Sequence, residues 1–253
     1  MDLGLKGKKA IVTGATKGIC RRVVEMLAQE GAEIAICSRN GDDVAKTIEE
    51  LKAYGGKVIG SAANVKDAEG YKAWLTATAE ELGGCDIFIP GVSAGGGNDG
   101  EKNWYRNFEI DLMGCVRGVE ALMPVLKKSP NASVVFISTT AAVETFIAPM
   151  AYNAMKAALI TYAKQLSQAV ARRNMRVNVV SPGPIMIEDG SWDKVRAADE
   201  AFYNSIMAQQ PSGRMGDADE VARCIVFLAS EAASWVTGTN LIVDGGFTKR
   251  VQF

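Results

Sequence analysis

Lys9–Leu27, KAIVTGATKGICRRVVEML, is the stretch whose reading decides the fold. Lys9 to Thr13 is a short apolar run of strand type ending in Gly14, and Gly18 opens a helical pattern in Ile19, Val23, Met26 and Leu27. Strand, glycine-rich turn and helix in direct succession form the unit in which N–H groups at a helix N-terminus receive a phosphate. Gly14 permits the sharp turn, and Gly18 permits close approach of a pyrophosphate. The spacing is TGxxxGx rather than GxGxxG, so alone it also suits a plain strand-to-helix turn.

Working outward, Glu33–Cys37 reads as a second strand that ends in Ser38 and Arg39. A dinucleotide fold selective for NAD places a carboxylate at this strand end, whereas an arginine accommodates a ribose 2′-phosphate. Arg39, with Lys17 in the turn, points to NADP(H) over NAD(H). Asp42–Tyr54 then reads as a helix closed by Gly55 and Gly56, Lys57–Ala62 as a strand, and Asp67–Leu82 as a helix stopped by Gly83 and Gly84. Asp86–Ile89 is a buried strand ended by Pro90, and residues 91–100 are a flexible loop. Trp104–Leu126 is a long helix whose Gly114 and Gly118 admit close packing of another helix. The strand Val134–Ile137, a helix from Tyr152 to about Arg173 and the strand Arg176–Val180 follow. A loop-rich insertion over 181–216, the helix Asp219–Ser230 and the strand Asn240–Val243 complete the chain. Strands separated by helices six times over predict one α/β domain across 1–253, a doubly wound parallel sheet of about seven strands with helices on both faces.

Candidate chemistry lies in Ser138–Leu159, STTAAVETFIAPMAYNAMKAAL. Tyr152 and Lys156 stand four apart in a helical pattern and so share a face. An ammonium beside a phenol favours the phenolate and lowers the tyrosine pKa from about 10. Ser138, Thr139 and Thr140 follow a strand, where open α/β sheets bind ligands.

Composition narrows the chemistry. Hydrophobic residues make up 48% and charged residues 23% of the chain, as in ordinary globular proteins, and the net charge of −1 with no basic block argues against nucleic acid. No apolar run reaches membrane-spanning length, and the start enters a strand pattern without a signal-peptide core. The five scattered cysteines read as reduced thiols of a cytoplasmic protein. There is no histidine, which removes Ser-His-Asp triads, most zinc sites and any histidine base. Proton chemistry falls to Tyr, Lys, Asp, Glu or a hydroxyl relay, and no metal is expected.

Four motifs in order give the chain a resemblance to the short-chain dehydrogenase/reductase family over essentially its whole length. They are Thr13-Gly14-Ala15-Thr16-Lys17-Gly18-Ile19-Cys20, Tyr152-Asn153-Ala154-Met155-Lys156, the run Asn178–Ile185 containing Pro182-Gly183-Pro184, and Thr237-Gly238 followed by Val243-Asp244-Gly245-Gly246. The resemblance implies a Rossmann-like sheet and hydride transfer between a nicotinamide and a carbonyl or carbinol carbon. Tyr152 would be the general acid or base, Lys156 would lower its pKa and bind the nicotinamide ribose, and Thr139 would hold the substrate oxygen, with Ser138 as its substitute. Asp111 matches the family's catalytic asparagine, where it would anchor a relay water or pair with Lys156. Gly14, Thr16, Lys17, Gly18, Ile19, Ser38, Arg39, Asn64, Val65, Pro182, Gly183 and Ile185, together with Tyr152 and Lys156, would bind the cofactor. Loops around 143–150 and 93–98 and a substrate lid at about 186–210 would meet the substrate, with Ser93, Met186, Trp192, Phe202 and Tyr203 as contacts. A homotetramer is also implied, with helices 104–126 and 151–173 across a two-fold axis and the C-terminal RVQF reaching a neighbour.

The chain departs from the family pattern at Cys20 in place of the third glycine, Asn64 in place of aspartate, Pro90-Gly91-Val92-Ser93 in place of NNAG, Asp111 in place of asparagine and Ile187 in place of threonine. The leading function is an NADPH-dependent carbonyl reductase or the matching secondary-alcohol dehydrogenase. The departures motivate an alternative, an NADPH-binding sensor or scaffold with little turnover. A nucleotide-free dehalogenating relative is the third reading, against which the intact Gly14/Gly18 turn and Lys156 speak.

Overall fold

A computed structural model describes residues 2–96 and 100–251. In chain order it contains β1 (Lys9–Thr13), α1 (Gly18–Gln29), β2 (Glu33–Ser38), α2 (Gly41–Leu51), β3 (Val58–Ala62), α3 (Ala68–Leu82), β4 (Ile87–Pro90) and α4 (Glu101–Asn107). A π-helical turn, Phe108–Met113, joins α4 to α5 (Gly114–Leu126). Then come β5 (Ala132–Ile137), α6 (Ala151–Val170), β6 (Met175–Pro182), β7 (Ile185–Met186), α7 (Ser191–Ala198), α8 (Glu200–Met207), β8 (Gly216–Asp217), α9 (Ala218–Ala229) and β9 (Asn240–Val243).

Seven strands form one parallel sheet in the order β3-β2-β1-β4-β5-β6-β9. Its strands are continuous apolar runs because both faces are covered. Ala10 and Val12 join a core with α1, α2 and α9, while Ile11 joins another with α3, α5 and α6. The order reverses between β1 and β4, opening a crevice beyond their carboxyl ends, where Thr13 pairs with Pro90.

Several boundaries differ from the sequence reading for local reasons. Asn40 caps α2 by accepting from the N–H groups of Asp42 and Asp43, so the helix starts at Gly41, and its tail tightens to a 3₁₀ turn over Lys52–Tyr54. Pro90 belongs to β4 rather than ending it, and Gly91 supplies the next N–H to the Thr13 carbonyl at 3.2 Å. The long helix begins at Glu101 and is broken by the π turn. Its glycines face inward: a Cβ on Gly118 would lie 2.6 Å from the Phe88 ring and 3.1 Å from the Tyr71 hydroxyl, and one on Gly114 would meet Val65. They admit β4 and α3 of the same chain. The 181–216 stretch is not loop-rich, because α7, α8 and the parallel β7–β8 pair order it. At the other end, the Glu144 carboxylate accepts from the N–H groups of Lys249 and Arg250, so that tail lies on its own chain's 143–146 loop. Of RVQF, Gln252 and Phe253 lie outside the described residues, as do Gly97 and Asn98 of the 93–98 loop and the following Asp99.

Candidate functional site

The carboxyl ends of β1, β4, β5 and β6 converge on a cavity of about 560 Å³, a size typical of small-molecule sites. Gly14, Lys17, Ile19 and Cys20 form one end, Thr139, Tyr152 and Lys156 the floor, and Pro182, Gly183 and Ile185 a side. Phe146, Trp192 and Phe202 cover it as an aromatic group, with Trp192 and Phe202 stacked at 6.3 Å and Phe146 edge-on to Trp192 at 6.2 Å. Ile187 lines the cavity but Met186 does not; the intervening Met186 lies in β7, paired with Asp217, and alternation along a strand sends it to the other face. Tyr203 is likewise outside the lining.

At the glycine end, Gly14 and Gly18 adopt φ of +69° and +62°, a region that side chains disfavour. A Cβ on Gly14 would also stand 3.1 Å from the Val92 nitrogen. Among the described residues no side chain caps α1, so its first N–H groups are left for a ligand oxygen. The turn therefore fits the pyrophosphate of a dinucleotide. Thr16 sits within the turn, half-buried, outside the cavity lining. At the end of β2, Ser38 exchanges hydrogen bonds with Asn40 and Arg39 is exposed. Lys17 ion-pairs with Asp43 at 3.5 Å. Asn64 is exposed and accepts from the Lys66 N–H, while Val65 is buried beneath α5.

On the floor, the Lys156 ammonium donates to the Ile137 carbonyl at 2.9 Å, pairs with Asp111 at 3.2 Å and sits 5.7 Å from the Tyr152 ring centroid. Asp111 is fully buried. Its carboxylate also accepts from the Ser93 hydroxyl at 2.6 Å, the Asn107 amide at 2.9 Å and the Ala94 N–H at 3.2 Å. Four donors around two oxygens is the environment of an ionised carboxylate. Ser138 is spoken for, because its hydroxyl donates to the Lys156 carbonyl and ties α6 to β5. Thr139 accepts from Ala141 N–H, and its side chain faces the Tyr152 hydroxyl, as does that of Ser93.

Lys156 acts on the Tyr152 pKa in the expected downward direction but does not prevail. Burial pushes the phenol up, Lys156 pulls it down and Asp111 pushes it up again, leaving it above the ordinary value. Burial works against the Lys156 ammonium, but Asp111 and Tyr152 outweigh it and hold its pKa above normal.

A family model described as Enoyl-(Acyl carrier protein) reductase matches residues 14–248. The chain belongs to the short-chain dehydrogenase/reductase family. It is 35% identical over 255 residues to isoepoxydon dehydrogenase patN of Aspergillus clavatus, covering 98% of each chain. It is 32% identical to the 3-oxoacyl-acyl-carrier-protein reductase FabG of Vibrio cholerae, over 96% of this chain and 98% of that one. Among solved structures, L-sorbose reductase of Gluconobacter frateurii complexed with NADPH and L-sorbose superposes with a TM-score of 0.91 at 28% identity, over 99% and 100% of the two chains. These relatives are oxidoreductases, and the chain is an enzyme of that short-chain dehydrogenase/reductase class. No helix among its described residues is long and apolar enough to cross a membrane.

Three features of this family member escaped the sequence reading. Asn107 donates to both Asp111 and the Gly95 carbonyl, tying the loop after β4 to the floor. The π turn that presents Asp111 has no residue signature of its own. Finally, Gly91 makes room for Cys20, since a Cβ there would stand 2.0 Å from the Cys20 sulfur.

Proposed function

We propose that the protein is an NADP(H)-dependent reductase that interconverts a ketone and a secondary alcohol, with Tyr152 as general acid/base. The observation that carries this reading is the half-buried Tyr152 above the Lys156 ammonium, with Thr139 beside its hydroxyl, on the floor of a cavity whose far end is the Gly14–Gly18 turn. Gly14, Thr16, Lys17, Gly18, Ile19, Asn64, Val65, Pro182, Gly183 and Ile185 are assigned to the dinucleotide, and Ser38 and Arg39 to its adenosine ribose. Arg39 is the exposed cation for a 2′-phosphate, since Lys17 is shared with Asp43. The 2′-phosphate reading gains support from the NADPH bound to L-sorbose reductase.

The reduced cofactor, when bound, supplies a hydride to the carbonyl carbon. Tyr152 gives the phenol proton to the carbonyl oxygen as charge develops on it, and Thr139 donates a hydrogen bond to that oxygen and holds it in reach. Lys156 stabilises the phenolate that remains until water returns a proton. Phe146, Trp192 and Phe202 exclude water from the reacting carbon, so the 186–210 segment acts as a lid through Trp192 and Phe202. Ser93 lines the cavity as a substrate contact and at the same time gives its proton to Asp111. A cytoplasmic homotetramer belongs to the same proposal, and the exposed Trp104, Tyr105 and Phe108 support an interface at the start of the long helix.

The test is oxidation of NADPH and NADH against a panel of ketones, aldehydes and quinones. Consumption with NADPH that falls at least about 100-fold in Tyr152→Phe, with NADPH binding retained, is expected. Binding without consumption would replace the reductase with a binding protein.

A further inference from the structure

Direct pairing of a buried carboxylate with the lysine beneath the acid changes what that lysine can do. The π turn is central. By adding a residue to one helical turn it lets Asp111 face α6, and π turns of this kind cluster at functional sites. Asp111 and Lys156 are both buried, at 0% and 3% exposure, so little water screens them from Tyr152. The groups around the phenol come from four directions. Lys156 lies below it on α6, Asp111 behind the lysine on the π turn, Thr139 at the end of β5, and Ser93 on the loop after β4. The thiols of Cys20 on α1 and Cys115 on α5 also border the lysine, and burial pushes both up to about 12, so they add no charge. Within this shell, Asp111 is the anion that opposes Lys156. Ser93 works with Asp111, because its one proton goes to that carboxylate and toward the phenol it can only accept, which favours the protonated form.

We propose that Asp111 is a positioning residue: by its ion pair with Lys156 and its grip on Ser93 it cancels the lysine's charge beneath Tyr152, so that the site is set to give a proton to a carbonyl rather than to take one from an alcohol. The direction of catalysis rests on the reductase reading above; the effect on Tyr152 does not. Asp111→Asn keeps the shape and can keep the contacts to Ser93 and Asn107, but leaves Lys156 unopposed.

The experiment first follows phenol ionisation by ultraviolet difference absorbance, with Tyr152→Phe subtracted to isolate Tyr152. In Asp111→Asn the Tyr152 midpoint is expected to fall by about one pH unit or more, the scale of a lone neighbouring cation. In Ser93→Ala, which removes an acceptor from the phenol, it is expected to fall by less, and in Asp111→Glu to stay near the wild-type value. The second readout is the pH profile: in Asp111→Asn the alkaline limb of reduction and the rising limb of alcohol oxidation should both move to lower pH by about the same one unit. Asp111→Asn that binds NADPH but titrates like the wild type overturns the proposal. If that variant does not fold, a Ser93→Ala midpoint that rises or stays put overturns it as well. A midpoint shift in a protein that reduces no carbonyl would sink the reductase reading and leave the charge cancellation standing.

Discussion

Gly91→Ala tests how the glycine turn is packed, and its cost can be worked from the structure. Gly91 is not in the left-handed region, so the backbone would accept alanine and the penalty is purely steric. The added Cβ would stand 2.0 Å from the Cys20 sulfur and 2.8 Å from the Thr13 carbonyl oxygen. The sulfur contact falls about 1.5 Å short of the distance at which such atoms attract. Neither obstacle is at the far end of a flexible side chain, because Cys20 is buried in the first turn of α1 and Thr13 is sheet backbone. Overpacking of this kind costs roughly 1–3 kcal/mol, and obstruction on two sides puts Gly91→Ala at about 3 kcal/mol. Cys20→Ala removes one small buried atom, at about 1 kcal/mol. The double variant loses the sulfur clash and keeps the carbonyl one, for a total of about 2 kcal/mol, so the pair should couple by about 2 kcal/mol. Urea unfolding followed by circular dichroism in reducing buffer, across the four proteins of the cycle, measures this. Costs that add to within about 0.5 kcal/mol would refute the reasoning, because the two positions would then not share the space.

Arg39→Asp should move cofactor preference from NADPH toward NADH by about 10- to 100-fold, the worth of one charged hydrogen bond, read from the ratio of the two kcat/KM values; an unchanged ratio would shift the phosphate contact to Lys17. Stability should fall steeply in alkali. Cys20, Cys37 and Cys115 are each pushed up to about 12 by burial. A folded pKa above the unfolded one means their stabilisation is whole below about 8.5 and is lost as pH rises toward 12, at about 1.4 kcal/mol per pH unit for each thiol. A urea midpoint that stays flat from neutrality to pH about 11 would contradict their burial. Glu144→Ala should loosen the tail from the 143–146 loop, where Phe247 meets Phe146 edge-on at 5.8 Å, and raise KM for the carbonyl severalfold with NADPH affinity unchanged. Equal loss of cofactor affinity would mean that the tail serves the whole site.

Much of the fold was legible in the sequence because the sheet is buried on both faces. Its strands are therefore short apolar runs bounded by glycines, and its helices carry a regular apolar stripe. The site's skeleton was legible for a related reason: Gly14, Gly18, Tyr152 and Lys156 have roles set by backbone geometry and by position on one helix. Legibility stopped where two segments distant in sequence share one small volume. The 181–216 stretch looked irregular because α7 and α8 are eight residues each and have little periodicity to display. The π turn leaves no pattern at all, since Phe108–Met113 would serve equally well in an α-helix. For Asp111 the sequence left two roles open, a relay-water anchor or a partner of Lys156, and the structure brings its carboxylate to 3.2 Å from that ammonium.

Taken singly, each departure from the family pattern suggests a weakened site, yet in the structure two pairs of them, Cys20 with Gly91 and Asp111 with Ser93, are matched to one another. Cys20 would overfill the turn if Gly91 carried a side chain, and Gly91 stands where the family has a larger residue. Asp111 would be a costly buried charge if unpaired, since an uncompensated ion of this kind destabilises by about 3–5 kcal/mol. It is met by Lys156, Asn107, the Ala94 N–H and the hydroxyl of Ser93, and Ser93 stands where the family pattern has a glycine. Ile187 replaces a hydroxyl with an apolar side chain, and its Cδ1 would sit 3.5 Å from a Cβ on Gly18, close enough to close the cavity over the turn. A site losing its function accumulates changes that leave buried groups stranded. Here Cys20, Asp111 and Ser93 each have a second residue accommodating them, which is the pattern of a site rebuilt around the same tyrosine and lysine.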